Sequence, residues 1–175
     1  TFIIAESGNN HEGSFKNAIK LINEAKNCGV DAVKFQTFNT SYYINKSEKK
    51  RFSKLKSFEL SKKNFLKLSN YTKKKKLKFI STPFDFESAK FLSKIVDVFK
   101  ISSGDNNFYD LIKFCGAFKK PLIMATENLE SMQKRLQPSK SEIIALEHSI
   151  NLGTNIIMLS DETATSSLFL NTLNW

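Results

Sequence analysis

Two lysines stand inside short apolar runs, Ala32-Val33-Lys34-Phe35 and Val98-Phe99-Lys100-Ile101. A buried ammonium is costly unless it meets an anion or other hydrogen-bonding partners. Small hydroxyl side chains stand at comparable places, Ser81 and Thr82 after one apolar run and Ser102 and Ser103 after another. Such a set suits a phosphate or carboxylate held by charge-assisted hydrogen bonds. The rival reading is that both lysine stems run along apolar surface and release their charge to water. Glu6 and Asp105 also follow apolar runs, and paired carboxylates near a bound anion can move protons or position a hydroxyl nucleophile. For Asp105 a turn role is the competing reading. Asn10 and His11 lie in the polar stretch Ser7–Gly13 and are candidate substrate contacts, His11 also a candidate acid. His148 falls in a helical pattern and reads as structural. No Cys/His spacing fits zinc. Neither a Walker-type loop nor G-x-G-x-x-G is present, so a nucleotide cradle is unsupported.

These residues need elements to hold them. Phe2–Ala5 has strand length. Ser14 can cap a helix, and Ala18, Leu21, Ile22 and Ala25 recur at helical spacing until Gly29. Residues 32–38 read as a second strand, 39–60 as irregular and basic, and Ser61 as the cap of a helix carrying Phe65, Leu66, Leu68 and Tyr71. Further strands are expected at 79–82, 98–101, 122–125 and 156–159, with helices between them. Six strands alternating with helices point to an α/β protein, either a β/α barrel or an open doubly wound sheet. Functional side chains cluster after nearly every strand, the pattern of a barrel's active face rather than of one crevice. Eight units close such a barrel, so about two are missing. We expect one partial barrel domain over residues 1–175.

Composition narrows the rest. The 175 residues carry 27 Lys+Arg and 17 Asp+Glu, for a net charge of +10. Fourteen of the basic residues lie between Lys46 and Lys78 against only Glu48 and Glu59, so that span alone carries +12. A nucleic-acid or anionic-membrane patch is one reading. A solvated lysine face is the preferred one, since only Arg51 and Arg135 are arginines and arginine leads in phosphate and base recognition. No apolar run approaches the ~20 residues that cross a bilayer, and nothing at the start marks secretion. Cys28 and Cys115 read as reduced core thiols of a cytoplasmic protein.

Four motifs in order, Ile4-Ala5-Glu6-Ser7-Gly8-Asn9-Asn10-His11-Glu12-Gly13-Ser14, Ala32-Val33-Lys34-Phe35-Gln36-Thr37-Phe38, Ile80-Ser81-Thr82-Pro83-Phe84-Asp85 and Phe99-Lys100-Ile101-Ser102-Ser103-Gly104-Asp105, resemble the sialic acid synthase family. That family includes N-acetylneuraminate, legionaminate and pseudaminate synthases, and the likeness runs over residues 1 to about 124. It implies a β/α (TIM-type) barrel that condenses phosphoenolpyruvate with an N-acetylated amino sugar, and a divalent metal, Mn²⁺ or Mg²⁺, that activates the sugar aldehyde. By the same resemblance Lys34, Thr82, Lys100 and Ser103 match phosphoenolpyruvate contacts, Gln36 a sugar contact, and Glu6 the acid that handles the nucleophile or proton. Asp105 stands where the family usually has Glu, one methylene longer. A homodimer is implied, with no nucleic-acid or membrane partner. The family's separate small C-terminal domain has no counterpart in this sequence.

Residues about 120–165 are similar instead to pyruvate kinase, through Lys120–Met132, Pro138–Glu142 and Ile157–Ala164. The family's Ser-Thr-Gly-Met sequence is here Ala125-Thr126-Glu127-Asn128, so a phosphate-contacting serine is alanine. In pyruvate kinase the matches to Thr126, Ser160 and Glu162 lie near the enolate and its proton relay. Leu159-Ser160-Asp161-Glu162-Thr163 is also similar to the synthases' late Leu-Ser-Asp-His-Thr motif. By that match Ser160 is a phosphate contact and Glu162 replaces a metal-binding histidine, a position where carboxylate oxygen suits Mn²⁺ or Mg²⁺. The rivals to a synthase are a phosphoenolpyruvate-binding barrel remnant without turnover, a basic nucleic-acid-binding module and, least supported, pyruvate kinase activity.

Overall fold

The computed structural model describes residues 2–125 and 128–174, apart from the side chains of Asp161 and Glu162. The chain divides into two compact units, Thr1–Phe99 and Lys100–Trp175.

The first unit runs β1 (Ile4–Gly8), α1 (Phe15–Asn27), β2 (Ala32–Thr37), α2 (Thr40–Tyr43), α3 (Lys49–Phe58), α4 (Lys62–Lys74), β3 (Lys78–Pro83), α5 (Phe86–Leu92) and β4 (Val98–Ile101), the last strand spanning the boundary. The strands pair in parallel and in chain order. Parallel neighbours need a crossover, which the helices supply. Local chemistry sets the helix starts. Ser14 accepts from the Asn17 amide at 3.2 Å, Ser61 from that of Asn64 at 3.2 Å, and Asp85 from that of Ser88 at 2.7 Å. Each bond satisfies one amide that a helix start leaves without an internal partner.

Alternation along β2 and β3 sorts side chains to two faces. Phe35 and Phe79 stack with ring centroids 5.8 Å apart. They are fully buried with Val33, and Ala18, Ile22, Phe65 and Leu68 of α1 and α4 are buried too. Ser81 belongs to this face: its hydroxyl bonds Thr37 Oγ1 at 2.8 Å and the Phe35 carbonyl at 3.2 Å. Lys34, Gln36, Ile80 and Thr82 therefore take the other face.

Two expectations change here. Residues 39–60 are not irregular, because they form α2 and α3. Their low hydrophobicity hid them: α3 buries no residue at all. Leu66 was expected on the packed side of α4 but is 45% exposed, and Ser69 and Thr72 are buried instead.

The second unit holds a 3₁₀ turn (Ser103–Asp105), α6 (Tyr109–Gly116), β5 (Leu122–Ala125), a 3₁₀ turn (Glu130–Gln133), α7 (Lys140–Asn151), β6 (Ile156–Met158), α8 (Asp161–Ala164) and α9 (Phe169–Asn174). β5 and β6 pair in parallel. A capping box starts α7: Ser139 accepts from the Glu142 amide, and the Glu142 carboxylate accepts from the Ser139 amide at 2.7 Å. That carboxylate also accepts from the amide and hydroxyl of Ser131. Gly116 packs so closely on Leu152 and Gly153 that a side chain there would collide with the Leu152 carbonyl.

Parallel strands in chain order with intervening helices are the construction of a β/α barrel, and six strands leave it short of eight. Cys115 is a core thiol as expected, and burial pushes it up to about 12. Cys28 is not: it forms the C-cap of α1, just past the last residue of the helix, and is exposed. Among the described residues no helix is long and apolar enough to cross a membrane.

Candidate functional site

Glu6 and Lys34 are register partners across β1 and β2. The pairing slips between Glu6 and Gly8, a bulge of the kind that re-aims a side chain at a strand end. The Lys34 ammonium lies 2.5 Å from Glu6 Oε2. The two ends of this ion pair differ sharply, since the Lys34 side chain is 5% exposed and that of Glu6 55%. The cation is thus fixed by packing and its anion reaches water. An incoming oxyanion can take the place of Glu6 on Lys34 without opening the core.

Gln36 and Thr82 are register partners one step further along β2 and β3. Thr82 is buried, and its hydroxyl has no hydrogen-bond partner among the described residues. A buried hydroxyl left unpaired is costly, on the order of 1–3 kcal/mol, so it marks a place where a ligand or water belongs. Ser81, expected beside it as a donor, faces the helices and is already bonded to Thr37, as alternation requires.

His11 is 1% exposed. Its Nδ1 accepts from the Gly13 amide at 3.0 Å, so Nε2 carries the proton of the neutral ring, and Nε2 has no partner among the described residues. Burial lowers its pKa, so the neutral ring predominates near pH 7. Asn10 is exposed in the same turn, its amide bonded to the Ser7 carbonyl at 3.0 Å.

In the second unit Lys100 is half-buried on β4, and Ser103 and Asp105 are half-buried in the turn that follows. The Asp105 amide donates to the Ser102 carbonyl at 3.0 Å, and burial raises the pKa of its carboxyl. Ser160 precedes α8, and its carbonyl accepts from Thr163 and Ala164. Thr126 and the Glu162 side chain lie outside the described residues. His148 is exposed on α7 with Tyr109 edge-on at 4.6 Å, consistent with a structural place. Among the described residues no group of three or more His, Cys, Asp or Glu could hold a metal ion.

Gly8 is the residue that motif reading passed over. Its φ is +52°, and a Cβ there would lie 3.4 Å from Glu6 Oε1 and 4.0 Å from Gln36 Cδ. Those are ordinary contacts, so it is the left-handed backbone at the bulge, not space, that favours glycine. A lone glycine ending a strand was the available signal, but only the register shows the bulge it serves.

Parallel strands in chain order, with Glu6, Lys34 and Thr82 on them, define a β/α-barrel protein. The chain belongs to the NeuB family, whose profile matches residues 21–149. An N,N'-diacetyllegionaminic acid synthase of Legionella pneumophila is 35% identical over 149 residues, covering 77% of this chain and 42% of the relative. A solved N-acetylneuraminic acid synthetase of Leptospira borgpetersenii, in complex with citrate, is 31% identical with a TM-score of 0.75, covering 90% of this chain and 52% of that one. A pyruvate kinase of Mycoplasma pneumoniae is 29% identical over 132 residues, covering 66% of this chain and 26% of the relative. The chain spans less than half the length of the curated relatives it matches, 37% and 42% for the first two.

Proposed function

We propose that this protein condenses phosphoenolpyruvate with an N-acetylated amino sugar to give a nine-carbon α-keto acid of the sialic acid type and phosphate. The observation that carries the reading is the Lys34–Glu6 pair, a buried cation whose partner is exposed, next to the unpaired Thr82 hydroxyl. Under this reading the phosphate displaces Glu6 from Lys34, and Thr82 donates to a phosphate oxygen. Gln36, Asn10 and His11 meet the sugar side. The enol double bond of phosphoenolpyruvate supplies the electron pair that joins its C3 to the aldehyde carbon, and the aldehyde oxygen takes a proton from solvent to become a hydroxyl. Water then adds to C2, and the freed Glu6 carboxylate takes its proton. Phosphate leaves with the electrons of its bond to C2, the remaining C2 hydroxyl gives its proton to the departing phosphate, and the keto group remains. Among the described residues no group of three or more His, Cys, Asp or Glu is placed to hold a metal ion.

Phosphate release in the presence of phosphoenolpyruvate, N-acetylmannosamine and Mn²⁺ tests this. Release should scale with enzyme, and Lys34→Ala should weaken phosphoenolpyruvate binding roughly 100-fold, the scale of removing one partner of a buried charge pair. A second reading, binding without turnover, is favoured by Ala125, which stands buried on β5 in place of the expected phosphate-contacting serine. Calorimetric binding without phosphate release is its signature. Neither binding nor release would sink both.

A further inference from the structure

The basic span from Lys46 to Lys78 is not one surface. Its second half lies on α4 and the start of β3. Its first half lies in the connection that leaves the C-terminal end of β2, and in a parallel β/α array such connections lie at the ligand-binding ends of the strands. Contacts agree with that placement. A side chain on Gly13, in the connection that follows Glu6 and Gly8, would collide with the Ser57 carbonyl of α3. The Thr40 amide, just past β2, donates to Glu59 Oε1 at 2.5 Å. The C-terminal end of α3 is therefore seated beside the loop that carries Asn10 and His11.

The charges of α3 are poorly placed for the helix itself. Lys49, Lys50 and Arg51 occupy its first turn, at the positive end of its dipole, and no side chain caps it. Arg51 is paired to Glu48 at 3.4 Å and Lys56 to Glu59 at 2.7 Å. Lys49, Lys50 and Lys54 have no carboxylate partner among the described residues, and all three are exposed. Ten residues of helix span about 15 Å. All of this charge thus lies within one to two screening lengths, each ~10 Å at 0.1 M salt, of the loop after Glu6.

We infer that α3 is an electrostatic collector, whose Lys49, Lys50 and Lys54 draw a small phosphorylated carboxylate toward the Lys34 face and so set its association rate. This rests on the phosphoenolpyruvate reading above and adds the route by which that anion arrives. Charges of one sign focused at a site raise capture rates without touching the bound ligand.

Phosphorus NMR line shapes of phosphoenolpyruvate, titrated into the whole chain, give association and dissociation rates separately. The association rate should fall about tenfold between low salt and 0.5 M salt. The triple variant Lys49→Glu, Lys50→Glu, Lys54→Glu should lose at least ~10-fold in association at low salt, with dissociation changed less than about twofold. The same charge reversal at the connection from α4 into the N-terminal end of β3, Lys74→Glu, Lys76→Glu, Lys78→Glu, should cost less than about threefold. An association rate indifferent to salt, or equal losses in the two triple variants, overturns the collector and leaves the binding site standing. No binding by the unaltered protein overturns both. Should the α3 variant fail to fold, the salt dependence of the unaltered chain decides the matter.

Discussion

The two units bury their apolar residues very differently. In the first, β2 is buried at five of its six positions, and Phe35, Phe79, Ile22 and Leu68 are shut from water. In the second, β6 exposes Ile156 at 42% and Met158 at 37%, and α7 leaves Ile144 at 64% and Ile150 at 54%. The difference follows the motifs. Where the synthase-like motifs occur, β2 and β3 are packed almost throughout and Lys34 of β2 holds an ion pair with Glu6. Where the sequence turns toward pyruvate kinase, β5 is buried at every position but β6 and α7 leave apolar residues partly in water.

Core truncation tests that contrast most strongly. Phe79→Ala should cost about 3–5 kcal/mol in urea unfolding, because a large side chain leaves a cavity in a packed core. Ile156→Ala should cost about 1 kcal/mol, in proportion to the area it actually removes from water. Equal costs would mean that β6 is covered in solution.

Acid gives the next effect, and each unit has one carboxylate to test. For Glu59 burial opposes ionisation, but the Lys56 ammonium and Thr40 hydrogen bonds outweigh it and lower its pKa. For Glu142 burial is likewise outweighed, by hydrogen bonds from Ser131 and Ser139. A folded-state pKa below the unfolded one means stability that is present above the unfolded value, near 4.5, and lost as pH falls through the folded one. Glu142→Gln should therefore cost about 1 kcal/mol at pH 7 and progressively less below pH ~4. A cost that does not shrink in acid would show that the carboxylate's charge plays no part in the capping box.

The smallest effect leaves stability untouched. Cys28 should react with a thiol reagent in the native protein, whereas Cys115, buried and with its pKa pushed up to about 12, should react only on unfolding. Equal native reactivity would mean that the second unit opens far more readily than its buried Leu111, Ile112 and Cys115 imply.

Much of the fold was legible because it is local. Ser14 and Ser61 cap the helices expected to follow them, and the strand at 98–101 stands where the apolar run puts it. The α3 helix escaped notice because a helix without a buried stripe has no apolar period to read. For the site, residue types and order were visible, and with them the resemblance that names a ligand class. What alternation could not supply was register.

Sequence by itself therefore determined the order of elements, the placement of Lys34 and Lys100 in apolar strands, and the family. All three rest on information carried within a few residues or within a motif. Tertiary structure alone decided that Glu6 meets Lys34 across a bulge, that Ser81 turns to Thr37 while Thr82 stays unpaired, that Cys28 faces water, and that a cationic helix sits beside the loop following Glu6. Those outcomes depend on which residues of distant segments come into register. A shift of one residue exchanges the two faces of a strand, and no local pattern fixes that choice.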